Sequence, residues 1–212
     1  TFDNGCPSNT LNESLTDPTA PSAPMVTVTD NCGSSTLTAT GTNLVWSTGA
    51  TTASITVTTG GTYTVTQTVG GCTSSAGSGV ANPLAIPAAP TVTVADNCGS
   101  STLTATGTNL VWSTGATTAS ITVTTGGAYT VTQTVGGCTS AAGTGTANPL
   151  TIPAAPTVTV VDGCGSSTLT ATGSNLSWST GATTSSITVT TSGAYTVTQT
   201  VSGCTSTNGS GT

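Results

Sequence analysis

"DNCGSSTLTATGTNLVWSTGATTASITVTTGG" fills residues 30–61 and returns word for word at 96–127; a third version, with a few changes, starts at Asp162. The shift between copies is 66 residues. Cys32, Cys98 and Cys164 share it, as do Cys72, Cys138 and Cys204. Trp46, Trp112 and Trp178 keep the same period, and so do Tyr63, Tyr129 and Tyr195. Three copies this alike mark a tandem duplication in which the unit serves as a building block.

Inside one copy the apolar residues alternate. Val26 and Val28 share a face in "MVTVT", Leu37 and Ala39 in "STLTAT", Leu44 and Trp46 in "NLVWS", and Ile55 and Val57 in "SITVT". "TYTVTQTV" turns Tyr63, Val65 and Val69 inward together with Gln67, whose amide must then reach backbone or the rim. Period two is the signature of half-buried strands. Glycine-rich turns separate the runs, and "CTSSAGSGV" after Cys72 offers a last strand with only small residues to pack. Six or seven short strands in under 70 residues predict an all-β chain of three tandem two-sheet β-sandwich domains. The inward parity of Trp46, Tyr63, Trp112, Tyr129, Trp178 and Tyr195 makes them core aromatics.

The expected boundaries are 25–82, 91–148 and 157–212 for the repeats, with connectors at 83–90 and 149–156. Several prolines in "NPLAIPAAP" and "NPLTIPAAP" favour extended, semi-rigid spacers. Residues 1–24 match the last strand and connector of a preceding repeat in phase: Cys6 precedes Cys72 by 66, and Pro21 and Pro24 precede Pro87 and Pro90 by the same step.

The chain has 212 residues with no Lys, Arg or His, six carboxylates and a net charge of −6. Without His or Lys there is no Ser-His-Asp triad, Schiff base or ordinary zinc site, which argues against an enzyme and against any cofactor. Without cations, nucleic-acid phosphates and anionic membrane surfaces are unfavourable partners. No stretch approaches the ~18 apolar residues of a membrane span, so direct insertion is not expected. The N-terminus lacks a basic-then-apolar leader, so an export signal is expected to have been removed or to lie outside this chain.

A sandwich of about 60 residues is marginal unless stapled. Cys32, Cys72, Cys98, Cys138, Cys164 and Cys204 are the candidates for that staple. Each repeat could close on itself (Cys32–Cys72, Cys98–Cys138, Cys164–Cys204), or the bonds could bridge repeats (Cys6–Cys32, Cys72–Cys98, Cys138–Cys164). Loop entropy does not separate the two schemes. If all strands alternate in direction, both cysteines of a repeat lie at one end, which favours closure within each repeat. Cys6 is then the odd one, expected to pair with a preceding repeat or a neighbouring subunit. Paired cysteines place the chain in an oxidising, extracellular setting.

The pattern Cys-x-Gly, Thr-Leu-Thr-Ala-Thr-Gly, Trp-Ser-Thr-Gly-Ala-Thr-Thr, Ser-Ile-Thr-Val, Gly-x-Tyr-Thr-Val-Thr, Gly-Cys-Thr runs through residues 25–212. It resembles the immunoglobulin-like repeats of large secreted surface proteins of Bacteroidota, such as gliding-motility adhesins and other type IX secretion cargo. The "GTYTVTQTV" strand also resembles the Tyr-bearing strand of PKD-type domains. The resemblance implies three tandem Ig-like β-sandwich domains, secretion and a stalk or adhesin role.

Other candidate sites have simpler readings. Asp30-Asn31, Asp96-Asn97 and Asp162-Gly163 could face calcium, but one carboxylate per repeat suits a turn better than an ion wanting 6–8 oxygens. The tryptophans could stack on sugars only if exposed, and Thr-x-Thr runs are ordinary solvent faces before they are ice-binding arrays. Sheet edges without a single Lys favour cover by another chain. The reading that results is a non-enzymatic structural repeat of an extracellular bacterial fibre or adhesin stalk, with neighbouring repeats or identical subunits as partners. Filaments could form by strand complementation between subunits. The alternative is a carbohydrate-binding, less readily an ice-binding, module with surface glycans as partners.

Overall fold

The computed structural model describes residues 19–212, which form strands, turns and loops with no helix among them. Cys6 and most of the N-terminal segment lie outside the described residues. The chain divides into two compact units, Thr1–Ile86 with the first repeat and Pro87–Thr212 with the other two.

The first repeat contains β1 (Met25–Asn31), β2 (Ser34–Thr40), β3 (Leu44–Trp46), β4 (Ser54–Val57), β5 (Gly61–Val69), β6 (Cys72–Thr73) and β7 (Gly77–Ala81). Strands β1, β2 and β4 make one antiparallel sheet, and β3, β5, β6 and β7 the other, with β6 and β7 following one another along β5. In the second unit, β8 (Val92–Asn97), β9 (Ser100–Ala105), β10 (Leu110–Trp112), β11 (Ser120–Val123), β12 (Gly127–Val135), β13 (Cys138–Thr139) and β14 (Gly143–Ala147) repeat this plan. So do β15 (Val158–Gly163), β16 (Ser166–Ala171), β17 (Leu176–Trp178), β18 (Ser186–Val189), β19 (Tyr195–Val201), β20 (Cys204–Thr205) and β21 (Gly209–Gly211). This is the A-B-E against C-F-G division of an Ig-like sandwich, three times in tandem.

Each sandwich has its own core, built from the alternating residues. In the first, Leu37, Ala39, Leu44, Trp46, Ile55, Val65 and Ala81 are buried, with Val26, Val28, Val57 and Tyr63 packed around them. Equivalent sets centre on Trp112 and Trp178. Val69 departs from its expected inward face: it is about half exposed, as are Val135 and Val201. Each sits at a hairpin tip, beyond the cluster its strand otherwise feeds.

The last strand is made of small residues for a reason that packing volume alone does not reveal. A Cβ added to Gly145 would stand 2.6 Å from Val92 Cγ1, and one on Gly143 only 2.0 Å from the Pro90 carbonyl oxygen. Gly77 and Gly79, and Gly209 and Gly211, meet the same obstacles in their own repeats. The Gly-x-Gly alternation lets the last strand close on the first across the sandwich edge.

Strand direction settles where the cysteines lie. In the first repeat β1 ends at a turn from which β2 returns, and β4 runs antiparallel to β2, from Ser54 opposite Thr38 to Val57 opposite Ser35. β5 begins at that same end, because Gly61 pairs with Ala81 and the next amide, Asn82 N–H, donates to Asp30 Oδ1 at 2.9 Å. β3 is antiparallel to β5, so β3 and β4 run the same way. The loop between them folds back, with Trp46 N–H donating to Ala50 C=O and Ala39 N–H to Ala53 C=O. One missing reversal moves the β5–β6 hairpin to the pole opposite the β1–β2 turn.

The cysteines therefore do not pair as alternation predicted. Cys98 bonds Cys204, one repeat further on, with Cα atoms 5.5 Å apart. Neither Cys98–Cys138 nor Cys164–Cys204 exists, and Cys164 is an exposed thiol. The bridging scheme that pairs Cys72 with Cys98 and Cys138 with Cys164 is excluded as well. Cys32 and Cys138 are disulfide-bonded too.

Candidate functional site: the junction between the second and third repeats

The pole at which the chain leaves a repeat is here the exit pole, and the one at which it comes in the arrival pole. At the exit pole of the second repeat Asp96 organises the β8–β9 turn: its Oδ1 accepts the Ser101 hydroxyl at 2.5 Å and the Asn148 amide at 2.9 Å. Those two donors hold the Asp96 carboxyl below the ordinary carboxylate range, the Ser101 bond contributing most. Asp30 is lowered in the same way by Ser35 first and the Asn82 amide second. Among the described residues no group of three potential metal ligands forms, and these carboxylates serve turns.

The amide of Asn148 begins the connector. Two residues later Leu150 N–H donates to Asn97 C=O and Leu150 C=O accepts from Gly99 N–H, at 2.9 and 2.8 Å. Ile152 then lies over Gly99: a Cβ there would meet its Cδ1 at 2.8 Å. Connector and turn thus form a short parallel bridge around Cys98. In the first unit Leu84 and Ile86 make the same contacts with Asn31 and Gly33.

The connector's far half belongs to the next sandwich. Gln199 Nε2 donates to Ala154 C=O at 2.8 Å, while its Oε1 accepts from Ser174 N–H at 3.2 Å. Gln133 and Gln67 do likewise with Ala88 and Ser22. The inward-facing glutamine, costly if unpaired, is the clamp that ties the incoming chain to the β2–β3 type of turn. Within the second unit the connector is thereby pinned at Leu150 and again at Ala154, with Pro153 between the anchors.

Against this connector stands the β19–β20 hairpin of the third repeat. Val201 and Ser202 face Pro149, Leu150 and Pro153 across a cleft of about 370 Å³. The hairpin closes with two residues of positive φ, Ser202 at 52° and Gly203 at 82°, the backbone of a type I′ turn. Gly70-Gly71 and Gly136-Gly137 fill those places in the other repeats. The turn delivers Cys204, fully buried, to Cys98.

The aromatic residues take no part in this site. Trp46, Trp112 and Trp178 are at most 3% exposed, and each indole N–H donates to a loop carbonyl, Thr52, Thr118 or Thr184, at 2.8–2.9 Å. No indole face is open to a sugar. Tyr63, Tyr129 and Tyr195 are half-buried with hydroxyls bonded to Thr59, Thr125 and Thr191 C=O. Sequence reasoning missed the junction itself. Its one sequence sign is the coincidence of Leu and Ile at alternate connector positions in otherwise proline-rich stretches.

No family model matches the chain, and no curated protein matches it. Among solved structures, a two-domain fibronectin type-III segment of chicken tenascin aligns at 13% identity. The alignment covers 58% of this chain and 97% of that one, with a TM-score of 0.28. The central fibronectin-III array of RIM-binding protein aligns at 13% identity over 88% and 94%, with a TM-score of 0.23. At such scores the alignments carry no argument; the sandwich class rests on the strand order and registers of this chain.

Proposed function

We propose that this chain is a non-enzymatic structural element of an extracellular surface fibre or adhesin stalk, of the kind found in large secreted proteins of Bacteroidota. The observation that carries the reading is the junction between the second and third repeats, where a connector anchored at both ends is closed by a disulfide. A domain built to bind a ligand has no need of such a junction, whereas a spacer that must hold its reach does. The disulfide also fits an oxidising compartment outside the cytosol. The sequence has no His, Lys or Arg to supply chemistry suited to catalysis, and among the described residues the Asp30 and Asp96 carboxylates are committed to turns.

Electron microscopy of native material tests this reading. Fibres or extended rods that lose their uniform length on reduction are the expected result. Compact particles, or specific glycan binding by the intact chain on an array, would overturn it.

A further inference from the structure

The two pieces of chain that meet at this junction repeat their counterparts letter for letter, except at one position each. Connector 148–156 differs from 82–90 only in having Thr151 where the other has Ala85. Hairpin 198–205 differs from 66–73 and 132–139 only in having Ser202 where they have Gly70 and Gly136. Both changed residues line the cleft of about 370 Å³ between connector and hairpin. Neither hydroxyl has a hydrogen bond among the described residues. Ser202 is held at a φ of 52°, which strains a residue with a Cβ, and strain of this kind gathers at binding sites.

The cleft also has a main-chain edge. Leu150 turns both its N–H and its C=O to the β8–β9 turn. Main-chain groups alternate along extended chain, so those of Thr151 point to the opposite edge. Neither of them is hydrogen-bonded among the described residues. Pro149 and Pro153 have no N–H, which leaves Thr151 N–H as the one donor on that edge between them. The edge is already held by the bridge at Leu150 and the clamp at Ala154, so a strand added there need not order it. Leu150 and Val201 stay 38% and 42% exposed beside it, and no residue lining the cleft is charged.

We infer that the cleft docks an extended, uncharged segment of a partner protein, which adds to the connector as a strand. Thr151 N–H donates to a carbonyl of the segment, Thr151 C=O accepts one of its amides, and an aliphatic side chain enters between Leu150 and Val201. A main-chain donor and acceptor on one fixed edge specify a strand, and the apolar walls select a side chain of it. Charged segments are disfavoured, because the lining has no counter-charge to offer them. The inference goes beyond the stalk reading and does not depend on it: the stalk gains a place where another protein holds on.

The test is a titration of the intact, oxidised, ¹⁵N-labelled chain with capped peptides, followed through its amide resonances. The probe is TVTVT. TETET carries charge, and a fully N-methylated TVTVT keeps the side chains but has no main-chain donor. TVTVT should shift the Thr151 and Ser202 amides in a saturable way, and the other two peptides should not. Thr151→Ala combined with Ser202→Gly restores residues that the molecule already uses at the matching positions. That variant should bind about fivefold more weakly, as the loss of a hydrogen bond would give. No shift at Thr151, equal shifts from the N-methylated peptide, undiminished binding by the variant, or shifts from maltotriose in place of the peptide would each overturn the inference.

Discussion

Gly143 shows how little room a single position leaves. Its missing Cβ is the space through which the Pro90 carbonyl passes, and backbone cannot swing aside as a side chain can. Gly143→Ala should cost ~1–3 kcal/mol by overpacking, read as a lowered midpoint in denaturant. Ser202 is the opposite case, a residue with a Cβ held at positive φ where the other repeats have glycine. Left-handed backbone costs such a residue ~1–2 kcal/mol, and glycine's extra freedom when unfolded takes back part of that. Ser202→Gly should therefore stabilise the third repeat by roughly 0.5 kcal/mol in thermal melts. Asp96 sets a dependence on acid. Its carboxyl is lowered on folding by Ser101 and then the Asn148 amide, so its contribution is fully present above its ordinary value. That contribution is lost as pH falls through the lowered one. Asp96→Asn should flatten this acid limb of the stability curve, and an unchanged limb would show that the pair contributes nothing.

Among the elements, the connectors behave least like the spacers their prolines suggest. Gln199→Ala removes two hydrogen bonds that hold incoming chain to the third sandwich, which should cost ~1–2 kcal/mol. The loss should be larger after reduction, when Cys98–Cys204 no longer keeps the strands close, and calorimetry in both redox states checks it. Strand positions and the core were open to reading from the sequence because period two leaves only one way to turn Leu37, Trp46 and Val65 inward. Strand direction was not. β3 is three residues long, and the loop after it carries no mark of whether the chain crosses the sandwich or doubles back. That single ambiguity carried the disulfides with it, since the pairing depends on which pole each turn occupies. The last strand was legible as small residues but not as a close approach, because the neighbour that requires them, Pro90 in the second repeat, lies over fifty residues away.

At the scale of the molecule, the bond between Cys98 and Cys204 changes what a pull on the two ends of the chain can reach. Tension that arrives at Cys98 crosses one sulfur–sulfur bond to Cys204 and leaves, bypassing the 106 steps of backbone between them. Almost all of two sandwiches and the whole connector joining them lie in that bypassed loop. At ~3.3 Å per residue it stores roughly 350 Å of contour that cannot be paid out while the bond lasts. Single-molecule stretching should find that length absent from the oxidised chain and released, less the folded span, once a reductant is added. The second and third repeats would then act less as springs in series than as a latch, whose slack is set by the redox state of the surroundings.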